Sequence, residues 1–431
     1  MPPLATLFGS FAVFLAVGVP ISFALFLSSL LVLVQADLPL AVVTQQMFNG
    51  VNAFTLLAIP FFFLAGNLMN AGGISERLIR LAMALVGHIR GGLGHVNIVV
   101  SMIFAGLSGS STADTAGVGS ILIPAMLKRG YSVETTVAIT AASSTMGVVI
   151  PPSILMVIYG ATAGASIGAL LIGGALPGLL IGLSQIAFTY VLAVVHDYPR
   201  ESDRWVGARA TWSALRAALL PMGLPAILIG GIVLGVFTPT EAAAVAAVYG
   251  LLITVCVYRT LAWRQLGPLF GETVVQFSLV LFCVAGAAIF GWLLAFYRVP
   301  DLVKEWVVSQ TEDPTMVLLM IVLLFTVLGT FMDAVPAILI FVPIIEPVAT
   351  KVGIHPIHLG VVVVMTLAMG LVTPPYGLCL LLACGIARVP VMRVMPMMMI
   401  LICSILLIIL LAALIPDIVL IVPKLLVPRW V

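Results

Sequence analysis

The sequence predicts an all-α polytopic membrane protein made of two inverted-topology repeats, each carrying a re-entrant helical hairpin and a proline-broken helix. Three observations lead there. Of 431 residues, 62% are hydrophobic and 8% charged, whereas soluble domains are nearer half apolar and a quarter charged. Two stretches share one spacing of glycines and prolines. Basic residues gather on one side of the resulting crossings.

Apolar runs such as Leu4 to Val34, Ala217 to Val236, Thr273 to Phe296 and Val394 to Val419 reach the roughly 20 residues that a bilayer crossing needs. The start, MPPLATLFGS, lacks a basic region ahead of its apolar stretch and lacks a small-residue cleavage site, so the first span is expected to be retained. Polar breaks at 70–97, 128–134, 196–216, 259–272, 298–315, 351–358 and 388–393 are too short for a separate soluble domain. Cys256, Cys283, Cys379, Cys384 and Cys403 lie scattered in apolar segments, which argues for small packing residues over a disulfide framework or zinc site. The net charge of +2 says little about partners, and a nucleic-acid partner is not expected.

From Asp114, Pro124 follows ten positions on, then Gly130, Gly147 and the pair Pro151-Pro152; from Asp333, Pro343 follows ten positions on, then Gly353, Gly370 and Pro374-Pro375. Only the proline-to-glycine gap differs, by four residues or one helical turn. This marks a duplicated unit. Each unit opens with apolar pieces interrupted by SGSSTAD (Ser108 to Asp114) or GTFMD (Gly329 to Asp333). Pieces of 9 to 15 residues, as read here, are too short to cross. A hairpin that enters and leaves on one face fits them, because irregular backbone is tolerated at membrane depth where protein or a water-filled cavity surrounds it. The long helix after each hairpin must unwind at its proline pair, since proline lacks the amide donor and clashes with the preceding turn.

The expected spans are 4–34, 53–71, 133–162, 167–195, 217–237, 240–258, 273–297, 356–386 and 394–420. With the N-terminus inside, 13 of the 18 Lys and Arg fall on the cytoplasmic side, the positive-inside bias. Counting either hairpin as one crossing would put the loop of Arg200 to Arg216, or that of Arg388 and Arg393, on the wrong face. Residues 1–216 therefore form a first repeat with its hairpin near 94–127. Residues 217–237 connect, and residues 238–431 form the second repeat with its hairpin near 315–350. Five spans separate the hairpins, so they open from opposite faces. Secondary transporters are commonly built in this way, with substrate and ions at the midplane.

At the first tip, Ser108, Gly109, Ser110, Ser111 and Thr112 offer hydroxyls and carbonyls at bilayer depth, and the unwound Gly147 to Ser153 adds more. These neutral oxygens suit a dehydrated Na⁺. Gly329 to Asp333 pair in the same manner with Gly370 to Gly377, including Thr373. Small residues of this kind also serve merely to pack helices closely in lipid; their recurrence before a proline pair favours a site. Asp114 and Asp333 are read as corresponding positions, where intramembrane acids suggest function. Helix capping is the first reading, direct ion ligation the second, and protonation or the holding of hydroxyls remain alternatives. Glu241 reads as a helix N-terminal acid with Thr240 as cap and Pro239 just outside. His355 and His358 lack convergent carboxylates or cysteines, so interface placement outweighs metal binding. Asn97 and Gln276 are expected to join helices by hydrogen bonds. No HExxH, Walker A or GxSxG occurs, and an intramembrane enzyme finds no nucleophile with its base.

The segments SGSSTADTAG, LIPAMLKRGY, GVVIPPSILMVIYG, GVFTPTEAAAVAAVYG, FMDAVPAILIFVPIIEPVA and GLVTPPYGLCLL, in order between about Ala58 and Leu414, resemble the large membrane (permease) subunit of tripartite ATP-independent periplasmic (TRAP) transporters. The resemblance implies a Na⁺-coupled elevator importer of small organic anions, such as C4-dicarboxylates, sugar acids or keto acids, in the bacterial inner membrane. It implies as partners a small four-helix membrane subunit, not found in this sequence, and a periplasmic substrate-binding protein. Carried onto this sequence, it implies substrate near Ser108, Ser110, Asp114 and Ser153. One Na⁺ would sit near Ser110, Ser111, Gly147 and Pro151, and another near Gly329, Asp333, Gly370, Thr373 and Gly377. The alternatives are a standalone secondary anion transporter of related hairpin architecture and a purely structural membrane scaffold.

Overall fold

The structure is a computed structural model that describes residues 2–430; residues 1 and 431, the outer ends of the two expected repeats, lie outside the described residues. Its helices are α1 (Pro3–Ala16), α2 (Ile21–Gln35), α3 (Ala41–Val51), α4 (Ala58–Ala71), α5 (Ile74–Val86), α6 (Gly92–Ser108) and α7 (Ser111–Lys128). Then come α8 (Val133–Ser144), α9 (Ile154–Ala163), α10 (Ile167–Gly173), α11 (Ala175–Val195), α12 (Ala208–Val233), α13 (Pro239–Leu251) and α14 (Trp263–Phe296). The chain ends with α15 (Val299–Gln310), α16 (Pro314–Phe331), α17 (Ala334–Lys351), α18 (Pro356–Gly370), α19 (Leu378–Ala387), α20 (Val391–Leu414) and α21 (Asp417–Leu426). Eight helical stretches among the described residues are long and apolar enough to cross a membrane. The chain is a multi-pass membrane protein.

One expected crossing is not made. The run 4–34 is two helices of 14 and 15 residues, each about 21–23 Å long at the helical rise, against a hydrocarbon core of about 30 Å. A turn with Gly18 at φ 88° joins them, and α1 and α2 pack against each other. Hydropathy is blind to this turn, because Val17, Val19 and Pro20 keep the run apolar. Polar breaks also hide two helices. In α5, Ile74, Leu78, Leu81 and Ala82 are buried while Glu76 and Arg80 are exposed, the pattern of a helix lying at an interface. Arg77 anchors it over the ring of Tyr258 at 3.7 Å. Its counterpart α15 buries Val299 and Val307 and exposes Asp301 and Glu305.

Both hairpins turn back. Gly91 and Gly94 at the start of the first lie against Tyr131 just past its end, and Pro314 and Gly353 at the two ends of the second line one pocket. Their arms are 17 to 18 residues long, longer than the 9 to 15 read from hydropathy, because the helices absorb flanking polar residues such as His95 and Asn97. Arg393 at the start of α20 donates to Glu134 at the start of α8 (2.6 Å). α18 and α19 run between the base of the second hairpin and this contact at the base of the first.

The structure also corrects the register of the repeat. The N-cap of α7 is Ser110, whose hydroxyl accepts from the Ala113 amide, and the N-cap of α17 is Asp333, which accepts from Val335. Pairing Ser110 with Asp333 aligns Pro124 with Pro347, Gly130 with Gly353, Gly147 with Gly370 and Pro151 with Pro374, all at one offset of 223 positions. The four-residue discrepancy disappears. Asp114 therefore corresponds to Ala337, one turn inside the helix, and is not a cap. Aligning the two aspartates misleads because serine and aspartate are equally good caps. Likewise the cap of α13 is Thr238, not Thr240: its hydroxyl accepts from the Glu241 amide while Glu241 accepts from the Thr238 amide, with Pro239 as the first helical residue.

Candidate functional site

Both tips and both unwound segments meet at one place. A cavity of about 180 Å³ is lined by Gly109, Ser110, Ser111 and Thr112 of the first tip and by Asp333, Ala334 and Val335 of the second. Val148, Ile154 and Leu155 of the first broken helix, Leu371 and Leu378 of the second, and Phe63 and Val280 of neighbouring helices complete the wall.

The local chemistry explains the first tip. Gly109 takes the left-handed conformation (φ 63°) and lies so near Pro152 that a Cβ would fall 2.9 Å from its carbonyl oxygen. Ser110 then starts α7, and its hydroxyl lies 3.0 Å from that of Thr112. Gly147, in the 3₁₀ turn Thr145–Val148, touches the tip through backbone alone: a Cβ there would lie 3.0 Å from Ser110 and Ser111. Ser111 donates to the Thr145 carbonyl (3.5 Å). Ser110, Ser111, Gly147 and Pro151, the expected first cation group, thus belong to one tip and the unwound segment facing it.

The second tip repeats the plan with other atoms. Gly329 and Gly370 meet backbone to backbone, and a Cβ on Gly370 would lie 2.7 Å from Gly329 Cα and carbonyl oxygen. The Tyr376 amide donates to Thr330 O (3.0 Å), and the Gly377 amide to Thr373 O (3.1 Å). Thr373 donates its hydroxyl to Met369 O (2.8 Å), leaving its oxygen lone pairs free. Asp333 accepts from the Tyr376 hydroxyl (3.1 Å) with the oxygen not used in capping. Tyr376 stands where the first unit has Ser153, and its role was not foreseen; a tyrosine directly after the proline pair was the available signal. Gly329, Asp333, Gly370, Thr373 and Gly377 are gathered in this region. Both groups offer neutral oxygens, the donor type for a small hard cation, and the second adds one carboxylate.

Three residues named with the substrate lie elsewhere. Ser153 is fully buried: its hydroxyl donates to Val148 O (2.5 Å) and accepts from Met156 N (3.2 Å), so it caps α9 and clips the unwound segment. Ser108 is buried against Gly66 of α4. Asp114 is wholly buried behind the tip, and neither carboxylate oxygen has a hydrogen-bond partner. Only Ser110 of that set lines the cavity.

The residues expected to tie helices together do so. Asn97 donates to Thr140 Oγ1 (2.7 Å), and Gln276 accepts from Asn67 (2.8 Å), which also donates to Thr273 (2.9 Å). His355 caps α18, and the His358 ring bonds Ala412 O (2.7 Å).

Comparison with known proteins fixes the family. Residues 8–418 match the family described as tripartite ATP-independent periplasmic transporter, DctM component. The chain is 42% identical to the isethionate TRAP transporter permease protein DctMQ of Oleidesulfovibrio alaskensis, over 90% of this chain and 61% of that one. It is 37% identical to the sialic acid TRAP transporter large permease protein SiaM of Vibrio cholerae, over 95% of both. In fold it is similar to the YdaH transporter of Alcanivorax borkumensis, with a TM-score of 0.62, 16% identity and 86% of each chain covered. A continuous match across hairpins, unwound segments and connecting helices places this chain among the large permeases of TRAP transporters, as a member of the DctM family.

Proposed function

We propose that this chain is the large membrane subunit of a Na⁺-coupled, binding-protein-dependent importer of small organic anions, working by an elevator mechanism in the bacterial inner membrane. The observation that carries the reading is the convergence of two hairpin tips and two unwound segments on one cavity. α7 begins at this cavity, so its N-terminal amides and positive dipole end favour an anionic group. Neutral oxygens beside each tip suit Na⁺, and the inverted arrangement lets the two sides alternate in access. The relatives named for isethionate and sialic acid both handle organic acids, and carboxylates, sugar acids, keto acids and sulfonates form the candidate class. A small four-helix subunit and a periplasmic binding protein are the expected partners.

The test is reconstitution of the chain with its small subunit in liposomes, with candidate binding proteins outside and an imposed Na⁺ gradient. Accumulation that needs both Na⁺ and the binding protein supports the proposal. Uptake indifferent to Na⁺ refutes the coupling, and uptake by the chain alone favours a standalone transporter.

A further inference from the structure

We propose that Arg77, Arg216 and Arg259, brought to one contact at the Tyr258 ring, bind the phosphate headgroup of an anionic membrane phospholipid. The Arg77 guanidinium of α5 lies over that ring at 3.7 Å. The Tyr258 hydroxyl donates to Ala217 O of α12 (3.1 Å), so Arg216 and Arg259, the chain neighbours of Ala217 and Tyr258, flank the same contact. The backbone is shaped to put them there. After α13 it passes through the π-helical turn Leu252–Val257, which the Tyr258 amide closes on Ile253 O (2.8 Å). Arg259 then takes the left-handed conformation (φ 52°), uncommon for a residue with a Cβ, and the Thr260 amide returns to Thr254 O (3.1 Å). Turns of the π type recur at functional sites.

No carboxylate neutralises this group. None of the ion pairs among the described residues includes Arg77, Arg80, Arg216, Arg259 or Arg264. The acids on the elements that meet here are Glu76, exposed on α5, Glu241, bound into the cap at the other end of α13, and Glu272 of α14, which accepts from Gln276 (3.2 Å). Arg216, Arg259 and Arg264 are exposed and Arg77 is half-buried. Orientation in the membrane asks only that basic residues lie on one side; it does not ask that they converge on one tyrosine. The counterpart arm does without them: Lys304, the one basic residue within α15, is held by Asp301 (2.9 Å). Guanidinium forks suit phosphate oxygens, and an unpaired set of them between membrane helices is a cradle for an acidic headgroup.

The surroundings select a lipid over a free phosphate. Trp212 and Trp263 are exposed beside the arginines, as residues of the aromatic belt at headgroup level are, and the Arg216 guanidinium lies 5.3 Å from the Trp212 ring. Leu219 and Leu220, on the Arg216 face of α12, are exposed, as are Leu252 and Val257 of the π-helical turn. Tyr249 donates to Leu220 O (2.8 Å), which joins the two helices along this face. Cations at one end of an exposed apolar surface match a phosphate head with its acyl chains. α5 leads from α4 to the first hairpin, so a phosphate shared by Arg77 and Arg216 ties that arm to α12.

The lipid's binding depends neither on Na⁺ coupling nor on the transported anion. The test is mass spectrometry of the purified full chain, released intact from detergent holding equal amounts of phosphatidylglycerol and phosphatidylcholine, alone and with its small subunit. The expected result is preferential retention of phosphatidylglycerol, weakened about fivefold by each of Arg77→Gln, Arg216→Gln and Arg259→Gln. Should the Arg77 or Arg259 variant not fold, Arg216→Gln, at an exposed position, still gives the reading. Combined Lys128→Gln, Arg200→Gln and Arg204→Gln, exposed positions away from the contact, are expected to leave retention unchanged. Equal retention of the two lipids overturns the site, as does an equal loss in that control variant, which marks diffuse surface charge only. Competition by glycerol phosphate at the lipid's own concentration overturns the lipid in favour of a soluble anion, and displacement by the small subunit overturns it in favour of that subunit. A chain that transports nothing still retains the lipid, so this proposal and the functional one fail separately.

Discussion

The two hairpin units share one backbone plan and differ in what fills it. The first is polar inside, with Asn97, Ser101, Thr140, Ser143 and Asp114 buried together. The second has Met320, Leu324, Val363 and Ala337 opposite four of these, keeps a buried hydroxyl in Thr366 opposite Ser143, and puts its acid at the tip, where Asp333 caps α17 and accepts from Tyr376. Glycine and proline positions set by backbone geometry are common to both, whereas side-chain chemistry is not. Backbone contacts therefore define the fold, and the differing interiors define what each half does.

The largest effect is expected where backbones touch. Gly370→Ala drives a Cβ to 2.7 Å from Gly329 and should destabilise by about 1–3 kcal/mol or more, the range for overpacking. Gly147→Ala, with 3.0 Å contacts, should cost less. Thermal unfolding of both purified variants measures the pair, and equal melting temperatures would break the ranking.

Next come the caps. Asp333→Ala removes a cap and strands the Tyr376 hydroxyl, so a loss of about 1–2 kcal/mol is expected. Ser110→Ala removes a 3.4 Å cap bond and the 3.0 Å contact with the Thr112 hydroxyl and, stranding no buried group, should cost under about 1 kcal/mol. If Ser110→Ala proves the more damaging in denaturant titrations, the tips are not structural equivalents.

Transplanting an apolar residue of the second unit into the first gives a smaller effect. Asn97→Met, the residue of the second unit, should cost about 0.6–1.7 kcal/mol, the average to the maximum for polar contacts between membrane helices. A loss several times larger would show the network to be a rigid structural unit. The smallest change is expected for Arg393→Ala. Its ion pair with Glu134 is partly exposed and worth about 0–1 kcal/mol; melting in low and high salt should barely separate the variant from the parent.

The sequence carried the duplication, the hairpins and the meeting of tips with proline breaks, because glycine and proline there answer to geometry that no other residue satisfies. It hid the register, since Ser110 and Asp333 cap equally well and two aspartates made a more visible pair. It hid the turn between α1 and α2, since Gly18 breaks the helix without lowering hydropathy. The burial of Ser153 was equally hidden, because an N-cap serine and a ligand-facing serine after a proline pair read alike.

Gly66 has a bearing on movement. A Cβ there would lie 3.2 Å from the Ser108 Cα and carbonyl oxygen, so α4 and the first tip rest main chain on main chain. A contact of this kind has no interlocking knobs. On the proposed elevator mechanism, helices that part or slide across it would need no rotamer to change first, and the surface between them would serve as a bearing with little friction. A leucine at position 66 would then act as a detent, holding the tip at one stop.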